Sequence, residues 1–349
     1  MRIAIRADSS ALIGTGHIYR CLALAETLRK HFKAEVEFLC LSLPGNIIYV
    51  IPNQGFKVHI LKSGSGQETA NFLDDCARFD GLIIDHYDLD ATYEKHILDF
   101  FDQILVIDDL ANRKHICNLL TDPNLALSKD TSYMELLPQE CKVLSGPKFA
   151  LLRNEFETMR NKAEASRRFP KKIETILIFF GGIDSTNETS KALDALDKLA
   201  MPNLNVDVVI GAQNPRLHEI KYRIKEKVGY RFLVHVENMA ELILNAQLAI
   251  GAGGTNSWER LSLGLPSLVI SVANNQIKAC EDLAKLGCHY YLGEYNSVSS
   301  DLISHALKDL IDHSNETRLI GLKAMELIDT HGCMYVAQAL VDKINQRLP

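Results

Sequence analysis

A chain of 349 residues is too long for one ordinary hydrophobic core and suits two domains of about 150–180 residues. Hydrophobic residues make up 47% and charged residues 23%, the balance of a folded globular protein and not of a disordered one. The net charge of −6 argues against a general nucleic-acid or anionic-membrane binder, which needs a basic surface, but it leaves room for a local amide-rich pocket for an anionic ligand.

The first residues, Met1-Arg2-Ile3-Ala4-Ile5-Arg6-Ala7-Asp8, carry charges where a signal peptide needs an apolar core. No run approaches the roughly 20 apolar residues of a membrane span. Eight cysteines (Cys21, Cys40, Cys76, Cys117, Cys141, Cys280, Cys288, Cys333) are scattered without a Cys-x-x-Cys pair, and several lie in apolar runs such as Phe38-Leu39-Cys40-Leu41. A reduced thiol there behaves as a small hydrophobe, zinc spacing is absent, and a cytoplasmic location is the expectation.

Short apolar runs alternate with helix-length amphipathic segments. In the first half, strands are expected at Ile3–Arg6, Val36–Leu41, Gly81–Asp85 and Ile104–Asp108, with weaker ones near Lys57–Leu61, Leu119–Thr121 and Lys142–Leu144. In the second half they are expected at Thr175–Phe180, Val206–Ile210, Phe232–His235, Leu248–Gly251 and Ser267–Val272, with a further one near Tyr290–Leu292. The runs are apolar throughout, as in parallel strands covered on both faces. Such alternation predicts an α/β chain of two doubly wound domains. The charged stretch from Glu157 to Glu174 marks the boundary, giving domains over 1–160 and 161–349. The segment from about Leu319 to Leu348 has helical spacing and could pack back on the first domain. Ligands of such sheets bind at the carboxyl ends of strands, so two facing domains would put the site in the cleft between them.

The first segment with chemistry is Ile13-Gly14-Thr15-Gly16-His17-Ile18-Tyr19-Arg20, between a strand and the helix Cys21–Lys30. Its glycines allow a sharp turn that leaves N–H groups at a helix start open to a ligand, with His17 beside them. A capping or packed histidine is the plainer reading of His17. The second segment is Leu248-Ala249-Ile250-Gly251-Ala252-Gly253-Gly254-Thr255-Asn256-Ser257-Trp258-Glu259-Arg260, a strand, a glycine-rich turn and a helix start. Gly253, Gly254, Thr255, Asn256 and Ser257 offer backbone donors, hydroxyls and an amide to a diphosphate. No Gly-Lys-Ser/Thr follows and no Gly-x-Gly-x-x-Gly is present, which sets aside a Walker loop and a dinucleotide site. Glu259 either accepts hydrogen bonds from ribose hydroxyls or is a solvated first-turn acid. Asn274, Asn275 and Gln276 follow a strand end, where three amides suit sugar hydroxyl and acetamido groups or simply an exposed turn. In Gly181-Gly182-Ile183-Asp184-Ser185, leading to a helix near Thr186, Asp184 is a candidate N-cap. Asp85-His86-Tyr87 and Asp108-Asp109 stand at strand ends, where acids suggest magnesium or, more often, caps and turns.

Together these segments resemble the UDP-2,4-diacetamido-2,4,6-trideoxy-β-L-altropyranose hydrolases of pseudaminic acid biosynthesis. The matching stretches are Arg6-Ala7-Asp8-Ser9 with Ile13–His17, Ile84–Tyr87, Val106–Ala111, Gly146–Arg153, Phe180–Asp184, and Gly253–Arg260 with Gly264-Leu265-Pro266 and Asn275-Gln276. Ile183 departs from the family's Ser or Ala, and nothing diagnostic follows about Gly293. The resemblance implies a GT-B fold like that of the murein N-acetylglucosaminyltransferase, with UDP on the carboxyl-terminal domain. It implies inverting cleavage at the anomeric carbon with His17 as base and with neither metal nor cofactor. It also brings Gly16, Tyr87 and Arg153 to the substrate. The implied partner is a UDP-sugar, without nucleic acid or stable membrane association, and a monomer is the default. The rival readings are a GT-B glycosyltransferase, a hydrolysing sugar-nucleotide epimerase and a non-catalytic UDP-sugar-binding protein.

Overall fold

The computed structural model describes residues 1–125, 133–169, 171–199, 201, 203–234, 236 and 238–346. The chain divides into two compact units, Met1–Arg153 with His331–Pro349, and Asn154–Thr330.

In the first unit the order is β1 (Arg2–Ala7), α1 (Gly16–Phe32), β2 (Glu35–Leu41), α2 (Val50–Asn53), β3 (Lys57–Leu61), α3 (Gly66–Asp74), β4 (Gly81–Asp85), α4 (Ala91–Ile97), β5 (Gln103–Ile107), β6 (Leu119–Asp122) and β7 (Lys142–Ser145). The strands form one parallel sheet in the order β3-β2-β1-β4-β5-β6-β7. The central strands are the continuous apolar runs of the sequence: Ile3, Ile5, Leu82, Ile83 and Leu105 are fully buried because helices cover both faces.

The second unit runs through α5 (Asn154–Arg167), β8 (Thr175–Phe179), α6 (Glu188–Leu199), β9 (Asn205–Ile210), α7 (Leu217–Ile224), β10 (Tyr230–Val234), α8 (Met239–Asn245), β11 (Leu248–Ala252), α9 (Asn256–Ser262), β12 (Ser267–Ser271), α10 (Asn274–Lys285), β13 (Tyr290–Glu294), α11 (Ser300–Asp312) and α12 (Ser314–Leu327). Its parallel sheet has the order β10-β9-β8-β11-β12-β13. His235, the last residue of the strand expected at Phe232–His235, lies outside the described residues.

Two stretches differ from the sequence reading. Most of the charged stretch that was expected to mark a boundary is α5. Its Arg160 donates to the carbonyls of Ser262 and Met325 at 2.6 Å, and Arg167 to those of Ala246 and Ile243 at 2.6 and 2.7 Å. The two arginines thus satisfy carbonyls left open at helix ends. Burial pushes Arg167 down to about 10. The long helical segment after Leu319 is interrupted near Thr330, and a final helix, α13 (Gly332–Asn345), belongs to the first unit. Its Val336, Ala337, Leu340 and Ile344 are buried with Ile18, Leu22 and Ala25 of α1. A side chain on Gly332 would come within 2.2 Å of the Ala150 carbonyl oxygen. Among the described residues, no helix is long and apolar enough to cross a membrane.

Candidate functional site

Each sheet reverses its winding direction beside its first strand, between β1 and β4 in one unit and between β8 and β11 in the other. Strand ends on either side of such a reversal leave a crevice, and the residues singled out by sequence gather at these two places.

In the first unit, the loop from β1 to α1 is fixed from below. The buried carboxylate of Asp8 accepts two hydrogen bonds from Arg6, at 2.6 and 2.8 Å, and one from the Leu41 amide at 2.7 Å. His86 accepts the Asp88 amide on Nδ1, so its Nε2 carries the proton and faces Asp8 at 3.3 Å. Burial opposes the charge of Asp8, but His86 and Arg6 outweigh it and hold its carboxyl well below the usual carboxylate range. The Ser10 hydroxyl accepts the amides of Leu12 and Ile13, closing a tight turn that puts Leu12 at its exposed tip. The turn delivers Gly16 and His17 as the first two residues of α1.

His17 is buried, and its Nδ1 lies 2.6 Å from Oδ1 of Asp85, the last residue of β4. Arg20, one helical turn further on, donates to both Asp85 oxygens at 2.6 Å and to Asp109 at 3.0 Å. Tyr87 donates to the same Asp109 oxygen at 3.3 Å, and its ring meets that of His17 edge-on at 4.7 Å. Burial works against ionisation of Asp85, yet the Arg20 charge and then His17 keep its carboxyl well below the usual range. An ionised Asp85 can only accept, so Nδ1 of His17 must donate, and in the neutral imidazole the lone pair then sits on Nε2. Among the described residues no hydrogen bond ends on Nε2. Burial and then Asp109 push the Tyr87 hydroxyl up, keeping it a neutral donor. The Arg153 guanidinium lies 5.8 Å from the centre of the Tyr19 ring on α1.

Asp85, Asp108 and Asp109, the acids that had suggested a metal, are otherwise engaged. Asp85 and Asp109 hold Arg20, while Asp108 pairs with Arg113 at 2.7 Å and accepts from Tyr133 at 3.1 Å. Among the described residues no three His, Cys, Asp or Glu side chains are grouped to hold a metal ion.

In the second unit the turn after β11 is built around Arg260. Its buried guanidinium donates to the Ala252 carbonyl at 2.8 Å, to Ser267 Oγ at 3.1 Å, to Ser257 Oγ at 3.2 Å and to Asn256 Oδ1. Burial pushes Arg260 down to about 10. Ser257 also donates to the Ala252 carbonyl, and Asn256 donates to Glu259. The side chains of Asn256 and Ser257 are therefore committed to the turn, while Gly253, Gly254, Thr255 and Glu259 are half-buried around it. Gly253 has a packing role: a side chain there would come within 2.2 Å of Cys280 Sγ on α10. Gln276 lies along the turn, its amide nitrogen 3.3 Å from where a Gly254 side chain would start, and its Oε1 accepts the Val272 amide at 3.0 Å. Asn274 and Asn275 are exposed in the first turn of α10. Asp184 accepts the amides of Glu188 and Thr189 at 2.9 and 3.0 Å, and so caps α6.

The sequence reading missed Arg20 as the clamp on Asp85, Asp109 as its second anchor, and Arg260 as the organiser of the turn. The spacing of Arg20 three residues after His17 was an available signal, since i and i+3 share a helix face.

Compared with known proteins, the chain is 32% identical over 288 residues to the UDP-2,4-diacetamido-2,4,6-trideoxy-β-L-altropyranose hydrolase of Campylobacter jejuni, a match that takes in 82% of this chain and 97% of that one. The chain belongs to this hydrolase family. The chain is also similar to the uncharacterized protein MJ1062 of Methanocaldococcus jannaschii, at 30% identity over 292 residues, covering 82% of this chain but only 58% of that longer protein. Residues 175–327 match the glycosyltransferase family 28 C-terminal domain. Among solved structures, MurG of Acinetobacter baumannii aligns with a TM-score of 0.69 at 12% identity, over 98% of this chain and 99% of the other. The fold is therefore GT-B, with two Rossmann-like parallel-sheet domains, and the hydrolase family shares it with glycosyltransferases.

Proposed function

We propose that the protein hydrolyses a UDP-linked 2,4-diacetamido-2,4,6-trideoxy sugar to UDP and free sugar, with water attacking the anomeric carbon and inverting it. The observation that carries this reading is the His17–Asp85 contact at 2.6 Å under the clamp of Arg20, which commits Nδ1 of His17 to donating and leaves Nε2 as the nitrogen that can act as base in the neutral ring. Water is a poor nucleophile, and a positioned imidazole that removes its proton contributes about 10²–10⁴ in rate. Family membership supports the substrate. Tyr87, a neutral donor against the His17 ring, and Arg153 beside Tyr19 are assigned to the sugar end, with Gly16 offering a backbone donor at the start of α1.

UDP is a good leaving group, so stabilising charge on the diphosphate matters more than a strong acid. We assign that task to the second unit: backbone amides around Gly253, Gly254 and Thr255 face the diphosphate, with Asn256 and Ser257 keeping the turn in shape. Glu259 takes the ribose hydroxyls, and Asn274, Asn275 and Gln276 take polar groups of the sugar. In this assignment Glu259→Ala weakens UDP binding by about 1–3 kcal/mol, the range for a charged hydrogen bond, as read by calorimetry. An unchanged dissociation constant removes Glu259 from the ribose.

Hydrolysis is tested with a panel of UDP-sugars in water labelled with heavy oxygen, without acceptor. The label is expected in the free sugar and not in UDP, and the first product anomer has the configuration opposite to the substrate. Label in UDP points to attack at phosphorus. Label in a sugar of retained configuration points to a double displacement. The match to the family 28 C-terminal domain favours one other reading, a glycosyltransferase. That reading predicts that UDP release waits for an acceptor.

A further inference from the structure

Two cysteines away from these sites lie against each other. Cys117 precedes β6 and Cys141 precedes β7, the neighbouring strand, and the Lys142 amide donates to the Asn118 carbonyl at 3.0 Å between them. Their sulfurs are 3.5 Å apart. A cystine needs about 2.05 Å, so the sulfurs must close by about 1.5 Å, within the reach of side-chain rotation. Both residues lie ahead of their strands, at the sheet edge opposite the strand ends that carry Asp85 and Asp109, so a bond between them leaves the His17 cluster untouched.

The two thiols are unequal. Cys117 is 4% exposed, whereas Cys141 is half-buried and open to a small reagent. Either sulfur could donate across this contact; with Cys117 as the donor, the bond first of all, and then Lys343 of α13 against the effect of burial, favour the Cys141 thiolate. The same contact, with burial, pushes the Cys117 thiol up. Such a pair has an attacking thiolate and a sheltered partner.

We propose that Cys117 and Cys141 form an oxidisable thiol pair that a low-molecular-weight disulfide converts to an intramolecular cystine. The Cys141 thiolate attacks one sulfur of the reagent, forming a mixed disulfide and expelling one thiolate. Cys117 then loses its proton to solvent and attacks the Cys141 sulfur, expelling the second thiolate. Two protein thiols are oxidised and one reagent disulfide is reduced to two thiols. The new bond closes a loop of about 25 residues that includes Asn124 and Tyr133. Asn124 donates to the Asp109 carbonyl at 3.1 Å, and Tyr133 reaches Asp108 and Asp122, so two residues within the closed loop touch the strand ends bearing Asp108, Asp109 and Asp122.

The test exposes the reduced, folded, full-length protein to oxidised glutathione, blocks the remaining thiols by alkylation and digests the protein without reductant. The expected result is a Cys117–Cys141-linked peptide, an intact mass lower by two hydrogens before alkylation, and reversal by dithiothreitol. Cys117→Ser is expected to stop at a glutathione adduct on Cys141, and Cys141→Ser to leave Cys117 reduced under the same exposure. Recovery of both wild-type residues as free thiols overturns the proposal. So does a cystine joining other cysteines, or faster capture of glutathione by Cys117 in Cys141→Ser than by Cys141 in Cys117→Ser.

Discussion

His17→Asn lowers kcat by about 10²–10⁴ and leaves the affinity for UDP and the unfolding midpoint close to wild type. The amide can still meet Asp85, so the buried carboxylate does not lose its contact, and Arg20 continues to hold it through two hydrogen bonds. What disappears is a basic lone pair at the position of Nε2. Because UDP is assigned to groups of the second unit, its binding by calorimetry serves as the internal control. Turnover near wild type in this variant removes His17 from the chemistry and, with it, the reading of the first-unit cluster as a base.

Asp85→Asn is the second large effect, and it acts on activity and stability together. An amide no longer compels Nδ1 of His17 to donate, so the imidazole can turn to the tautomer whose lone pair points away from water. In a comparable serine-hydrolase arrangement the loss is about 10⁴ in kcat, and a fall of about 10²–10⁴ is expected here. The same change takes the main charge partner from a guanidinium that is 7% exposed. Breaking a buried pair typically costs about 3–5 kcal/mol, and the remaining contact of Arg20 with Asp109 places this variant toward the lower end. The double variant Asp85→Asn with Arg20→Met is expected to regain stability without regaining activity. That split separates a positioning role of Asp85 from a purely structural one. The pH dependence follows from the direction of the shift. The folded-state value of Asp85 lies below its unfolded value, so its contribution is complete above about pH 4 and is lost as pH falls further. Denaturant titrations at stepwise lower pH should show a shallower loss of stability in Asp85→Asn than in wild type.

Much of the architecture could be read from the sequence because parallel strands covered on both faces leave an unbroken apolar signature. Gly81–Asp85 and Lys57–Leu61 coincide with the observed strands, and the others shift by a residue or two where hydrogen bonding continues into polar positions such as Arg2 and Asp122. The His17 loop was legible for a local reason: glycines punctuate the passage from strand to helix. The partners of His17 were not, because the pairing of Ala7 with Asp85 depends on β4 lying beside β1, a neighbour relation that no local pattern encodes. The role of the α5 arginines was hidden for a related reason. A run of charges reads as solvated, yet Arg160 and Arg167 turn inward to open carbonyls, and only the tertiary structure reveals those acceptors. Arg260 was hidden in the same way, since its four acceptors come from two strand ends and one helix turn.

The return of α13 to the first unit gives the protein a history as well as a shape. During synthesis the ribosome delivers β1 to β7 before the whole of Asn154–Thr330, and the helix that carries Val336, Leu340 and Ile344 only after both. Until then Ile18, Leu22 and Ala25 lack the apolar neighbours that cover them in the finished fold. The second unit is continuous in sequence and can be completed while the first still waits for its last helix. While the second unit is made, the first therefore exposes apolar surface that α13 later covers, the kind of surface that is prone to aggregate. Deletion of α13 would leave those side chains of α1 uncovered.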